Sequence, residues 1–418
     1  MDTNHDAAGV DSDVAVDLSD HESFRHGFPH DYFRWLRTHA PVFWHEPTDK
    51  TPDGEGFWVV SRHADVMAVQ RDATTFSSDK GGIREAGGTG MRDERAAGRM
   101  LNMTDDPQHH RLRSLVNRGF TPRAVAALED ELRERTDVLL DKVTADPFDV
   151  VEGFARELPS QAICIVLGVP QTDRQNLLDI LDAGIEADSA SIVSAEATAS
   201  LRQYASTLIA AKRAEPDDAI FSTIVHATLD DDGSQLSDRE LEAFFNLLFP
   251  AGAETTRSAI AGGILAFAEN PEQFVRLAQN PDLLPTAVEE IVRWTTPSVY
   301  KRRTASKDTV LAGTTIGAGD KVTFWEMSAN RDDEAFEEPF RFDVGRSPNP
   351  HVGFGWGVHF CLGASLARLE MKVALEALVQ RYEGFDLAEE PVWTPNNRLF
   401  GLKRLMVRAR PRTPSTDS

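Results

Sequence analysis

The stretch that most constrains this chain is FGWGVHFCLG, Phe354–Gly363. It places Cys361, one of only two cysteines, among Gly355, Gly357 and Gly363 and two residues after His359. The residues that follow, LGASLARLEMKVALEALVQRY, carry Leu and Ala at helical spacing, so Cys361 is expected at or just before a helix N-terminus. The free N–H groups and positive dipole end there favour a thiolate. The glycines remove side chains, which lets a flat ligand approach the backbone and permits turns that other residues resist.

Four readings of Cys361 follow from the residues alone. It is a buried structural cysteine, or a zinc ligand with His351 and His359, although a second cysteine is missing. It is a nucleophile, although Phe354 and Phe360 flank it and no Asn/Asp–His pattern accompanies it. Or it is a thiolate ligand to haem iron, which accounts for the glycines, the aromatics and the helix together.

The chain passes from a strand-like start to a long helical middle. PVFWH and FWVVS read as strands separated by a polar turn. The Gly-rich, charged segment Ser78–Met100 reads as a long mobile loop, a length that is uncommon without a function. From Asp106 the pattern is helical for about two hundred residues, through HRLRSLVNRGF, RELPSQAICIVLGV and DRELEAFFNLLFPAGAETTRSAIAGGILAFAE. VLAGTTIGAGDKVTFW and the C-terminal RLFGLKRLMVRARP return to strand. The fold class is therefore mostly α with small β-sheets (α+β). One large helical domain spans residues 21–412, with an acidic disordered tail over 1–20 and a short tail over 413–418.

Two cysteines, Cys164 and Cys361, supply no disulfide framework and point to a reducing, cytoplasmic location. No apolar run reaches membrane-spanning length, so no membrane anchor is expected. With 44 Lys and Arg against 67 Asp and Glu, the formal charge of −23 disfavours nucleic acid as a partner.

FGxGxHxCxG, filled by Phe354, Gly355, Gly357, His359, Cys361 and Gly363, resembles the haem-binding signature of the cytochrome P-450 family. The resemblance runs from about Glu22 to Pro411 and implies a haem b cofactor with Cys361 as axial ligand of the iron. In EEIVR it implies a buried Glu290–Arg293 pair, joined by an Arg from PFRF. Arg341 is the expected partner, with Arg346 the alternate, in a structural role. His109 and Arg113 of HHRLR, Arg303 of KRRTA (Arg302 the alternate) and His359 are the implied contacts to the haem propionates.

AGAETT resembles the family's oxygen-activating motif. Thr255 would hydrogen-bond the dioxygen and Glu254 would relay protons, while Pro250 and Gly252 suggest a local break or bulge around Ala251–Thr255. The Thr255 hydroxyl is expected to turn back to the carbonyl of Ala251, which opens a groove against the haem. The implied partners are O2, a ferredoxin with its reductase, and a hydrophobic small molecule. Arg111, Arg118, Arg123, Arg368 and Lys372 are candidates for ferredoxin docking.

The implied pocket is lined by Phe244, Leu247, Leu248 and Ala251, by Ser298, Val299 and Tyr300, and by Leu399 and Phe400, beneath the Ser78–Met100 loop. AGAETTR and EEIVRWTTP are similar to the bacterial branch that hydroxylates sterol side chains and branched lipids at a terminal methyl. Ala253, where that branch often carries Asn, and Lys301, where it carries an apolar residue, depart from it. Monoterpene, fatty-acid and polyketide hydroxylation are the alternatives within the family. Outside catalysis, the alternative is a haem-thiolate sensor.

Overall fold

The apolar run that begins at Leu241 becomes the longest element of the computed structural model, a helix over Asp238–Glu269. The structure describes residues 16–412 except 95, 144–145, 188–194 and 230–232. Ser237 and Glu240 start the helix as a reciprocal capping box, and Pro271 follows its end. It packs against helices Glu157–Leu167, Ala195–Ala214, Leu284–Thr295 and Ala364–Arg381, and so forms the axis of a mostly helical fold.

The expected break at Ala251–Thr255 is absent: the helix runs through Pro250 without interruption. Gly252 serves another purpose. A Cβ there would stand 2.8 Å from Ile163 Cδ1, so the glycine permits close approach of the neighbouring helix. One N–H lost at Pro250 is a small defect in a helix packed on several sides.

The predicted strands Val42–His45, Phe57–Val60 and Lys321–Trp325 join two not expected from the sequence, Tyr300–Ala305 and Phe76–Ser77, in a five-stranded sheet with the spatial order Val42–His45, Phe57–Val60, Lys321–Trp325, Tyr300–Ala305, Phe76–Ser77. Only the Phe57–Val60 and Lys321–Trp325 pair is parallel. Thr309–Leu311 and Thr314–Ile316 make a hairpin, and Met406–Pro411 joins a three-stranded sheet. The core divides into one large helical cluster and two smaller ones on the faces of the five-stranded sheet.

Leu18 and Ser19, within the span assigned to the acidic tail, are buried in the fold. Leu18 is completely buried beside Phe24 and Phe33, its N–H donates to His45 Nε2 at 3.1 Å, and Asn397 holds its carbonyl. Residues 1–15 and 413–418 lie outside the described residues. The Ser78–Met100 loop is tied down by its charges. Arg84 pairs with Glu55 and Asp93, Arg302 pairs with Asp93, and Arg398 lies 3.6 Å from Glu94.

Candidate active site

The cysteine loop is a tight reversal. Gly355 and Gly357 both adopt positive φ (72° and 73°), and the Cys361 N–H donates to the Phe354 carbonyl at 2.9 Å. A Cβ at Gly357 would lie 2.7 Å from the Gln70 carbonyl, so no side chain fits there. Gly363 caps the helix Ala364–Arg381, which places Cys361 just outside its first turn. Burial pushes the Cys361 thiol up, against the Gly363 N–H and the charges of Lys301, Arg113 and Arg368, which pull it down. Cys361 nonetheless stays exposed, and open space lies where a Gly363 side chain would stand. The sulfur therefore faces a cradle inside the protein.

A cluster of nitrogen donors faces the same region. The rings of His109 and His359 lie with centroids 4.2 Å apart, tilted by 49° to one another. Burial, then Arg303, His109 and Arg113, hold His359 neutral, down to about 2. Ser78 Oγ lies 2.9 Å from His359 Nε2, a contact that nothing in the sequence pattern announces. Arg303 is buried and, among the described residues, donates only to the Arg302 carbonyl, and burial lowers it to about 10. The His109 Nε2 is buried without a hydrogen-bond partner among the described residues. Strand alternation separates the neighbouring arginines: Arg302 points the other way, to Asp93 at 2.6 Å.

On the central helix the Thr255 hydroxyl donates to the Ala251 carbonyl at 2.8 Å, the back-bond expected from the four-residue spacing. Ala251 is exposed midway along a helix otherwise packed in the core, so it faces an internal opening. Glu254 lies 3.4 Å from Arg257 Nη1.

Behind the site, Arg293 binds Glu290 through two bonds of 2.7 and 2.8 Å, and both side chains are completely buried. The third member is Arg346, whose Nε donates to both Glu290 oxygens at 3.1 and 3.2 Å. Arg341, the expected partner, is exposed and pairs with Glu338. Its carbonyl, not its guanidinium, faces the cluster and accepts from Arg293 and Arg346.

The sequence pattern described as Cytochrome P450 matches residues 170–409. The chain belongs to the cytochrome P450 family. A protein named cytochrome P450 126 from Mycobacterium tuberculosis is 51% identical over 97% of this chain and 99% of its own. A methyl-branched lipid omega-hydroxylase of that organism is 41% identical, covering 90% of each. Among solved structures, a Mycobacterium marinum cytochrome P450 in complex with pseudoionone superposes with a TM-score of 0.82 at 36% identity, covering 91% of this chain and 94% of that one.

This cytochrome P450 is a monooxygenase, and its family implies a haem-thiolate cofactor. The donor set fits that group. Cys361 opens onto the cradle, while Arg303 and Arg113 make no ion pair among the described residues and His109 keeps an unpartnered nitrogen, as sites for haem carboxylates would. Zinc lacks a ligand set: among the described residues no group of three His, Cys, Asp or Glu is arranged for a metal, and His351 binds Glu289. Cys164 is sealed in the core, its thiol pushed up to about 12 by burial.

The expected pocket residues divide. Leu247, Ala251, Ser298 and Leu399 keep accessible surface, and Ser298 bridges Leu399. Val299, Tyr300 and Phe400 are packed into the cluster of Phe24, Phe33 and Trp325, and Leu248 into the helical core. Phe244 lines a small cleft with Leu112, Val116 and Leu236. Of the basic docking candidates, Arg111 pairs with Glu240, Arg368 with Glu289 and Lys372 with Glu129, while Arg118 and Arg123 are exposed. The thiolate side also presents exposed Trp356, Val358 and Phe360. No helix among the described residues is long and apolar enough to cross a membrane.

Proposed function

We propose that the protein hydroxylates a sterol side chain or a branched lipid at a terminal position, using haem b and electrons from a ferredoxin and its reductase in the cytoplasm. The observation that carries the substrate class is relatedness at 41% and 38% identity to proteins named methyl-branched lipid omega-hydroxylase and steroid C26-monooxygenase. The accessible Leu247, Ala251 and Leu399 suit an apolar chain.

When bound, the haem supplies the iron at which dioxygen is reduced and one oxygen atom is inserted into a C–H bond. Cys361 would hold the iron, and Arg113, Arg303, His109 and His359 would hold the carboxylates. Thr255 carries its proton on Oγ1, parked on the Ala251 carbonyl, while its oxygen lone pairs remain free to accept. Glu254 is the nearest carboxylate along the helix and would pass protons toward Thr255. Arg257 keeps it oriented.

The test is titration of the purified ferric protein with sterol ketones, branched fatty acids and monoterpenes, followed by the low-spin to high-spin change in haem absorption. A saturable shift with a sterol ketone or a branched acid, and product bearing a terminal hydroxyl when ferredoxin and reductase are added, is expected. A shift with monoterpenes alone would overturn the substrate assignment.

A further inference from the structure

Lys301 and Glu326 form an ion pair between neighbouring strands of the five-stranded sheet and the turn that follows. Glu326 is completely buried, whereas the Lys301 side chain keeps 31% of its surface. A buried ion pair is seldom retained for stability, because apolar residues of similar volume usually serve the fold as well or better. The pair therefore calls for another role.

Its geometry directs a cation to the cradle. Side chains two apart on a strand share a face, so Lys301 lies on the side of Arg303, while Tyr300 and Arg302 point to the opposite core and to Asp93. Lys301 also lies within electrostatic range of Cys361. Glu326 is fixed from behind, since its second oxygen accepts from Gln70 Nε2 at 2.9 Å. The carbonyl of Gln70 in turn abuts Gly357 in the cysteine loop. One Lys301 proton is taken by Glu326, and an ammonium has three donors, so two remain for a ligand on the open side.

Around the cradle the cations then outnumber the anions. Lys301, Arg303 and Arg113 face two carboxylates, Glu326 and Asp105, and the thiol of Cys361. An anionic ligand edge would balance this set. We propose that Lys301, aimed by Glu326, is a further ligand for the carboxylates of the haem, on the same strand face as Arg303. Glu326 is a positioning residue. The inference rests on the haem b reading, whose two propionates supply the carboxylates.

The experiment uses the holoenzyme. Lys301→Met alone would orphan a buried carboxylate and threaten folding, so the informative variant is Lys301→Met with Glu326→Leu, beside Lys301→Arg. Haem loss is followed by transfer to excess apomyoglobin, and haem b is identified in the same samples by its pyridine complex. The double variant is expected to lose haem about tenfold faster than wild type, the weight of one charge-assisted contact. Lys301→Arg should restore retention to within about twofold. Equal rates in wild type and the double variant would show the pair to be structural only and overturn the inference. A pigment other than haem b would instead overturn the cofactor reading on which it rests.

Discussion

Arg346 donates through Nε to both oxygens of Glu290, and so closes a buried cluster in which Arg293 already holds the same carboxylate by two bonds. Asp343 N–H and Asn349 Nδ2 add further donors at 2.9 and 3.3 Å. A charge this enclosed is stable only with its partners in place.

Arg346→Ala should therefore lower stability by about 3 kcal/mol and reduce haem incorporation on expression. Arg341→Ala, at an exposed pair, should leave stability close to that of wild type. Thermal unfolding and the ratio of haem to protein absorbance separate the two. A comparable loss in both variants would contradict the geometry.

Thr255 holds a proton next to the exposed Ala251. Thr255→Ala removes that proton and its hydrogen-bonding oxygen without disturbing the helix, since Ala is the better helix former. Product formation should fall by about tenfold or more while cofactor oxidation continues, and the difference should appear as hydrogen peroxide. Thr255→Ser should recover most of the coupling. The measurement is peroxide and product per reducing equivalent, and unchanged coupling in Thr255→Ala would remove Thr255 from the proton path.

Much of this was legible in the sequence because local rules suffice for it. The Thr255 back-bond follows from helical spacing, the Glu290–Arg293 contact from i,i+3 geometry, and the cysteine turn from its glycines. What escaped depends on distant parts of the chain. Arg341 and Arg346 are five residues apart in one irregular segment, and only the fold decides which guanidinium turns inward. Gly252 read as a helix breaker because its partner, Ile163, lies on another helix. The loop over Ser78–Met100 read as mobile because it is rich in glycine and charge, whereas Arg84, Asp93 and Glu94 meet Glu55, Arg302 and Arg398 from distant parts of the chain. Tyr300 and Phe400 are apolar enough for a pocket or a core, and burial alone distinguishes the two.

Glu370, on the helix that follows Cys361, is buried, and its Oε2 has no hydrogen-bond partner among the described residues. Burial holds its carboxyl well above the ordinary 4.5, so the folded protein keeps a proton that the unfolded chain releases. The stabilisation this gives is complete below about pH 4.5 and is lost as pH rises through the folded-state value. Glu370→Gln keeps the shape and cannot ionise. Its melting temperature should exceed that of wild type by about 1–3 °C at pH 8 and by less at pH 5. An advantage independent of pH would show that Glu370 does not carry this proton.

On the thiolate side, where we propose that the electron donor docks, Trp356, Val358 and Phe360 are exposed around Cys361 and Arg71 lies 5.5 Å from the Trp356 ring centre. Arg111, Arg368 and Lys372 are already neutralised by Glu240, Glu289 and Glu129, and the chain as a whole carries −23. An acidic donor would thus meet long-range repulsion, which salt screens, and would gain its affinity from the apolar patch. Raising the salt from about 50 to 300 mM should leave the donor Kd within about twofold or tighten it, whereas a basic docking face would weaken it severalfold. Trp356→Ala should weaken donor binding by about tenfold, as for a central aromatic anchor, and slow reduction of the iron in proportion at limiting donor. Stopped-flow reduction under carbon monoxide, repeated across salt concentrations, measures both. A steep loss of rate with salt, together with an unaltered Trp356→Ala variant, would return the recognition to the arginines.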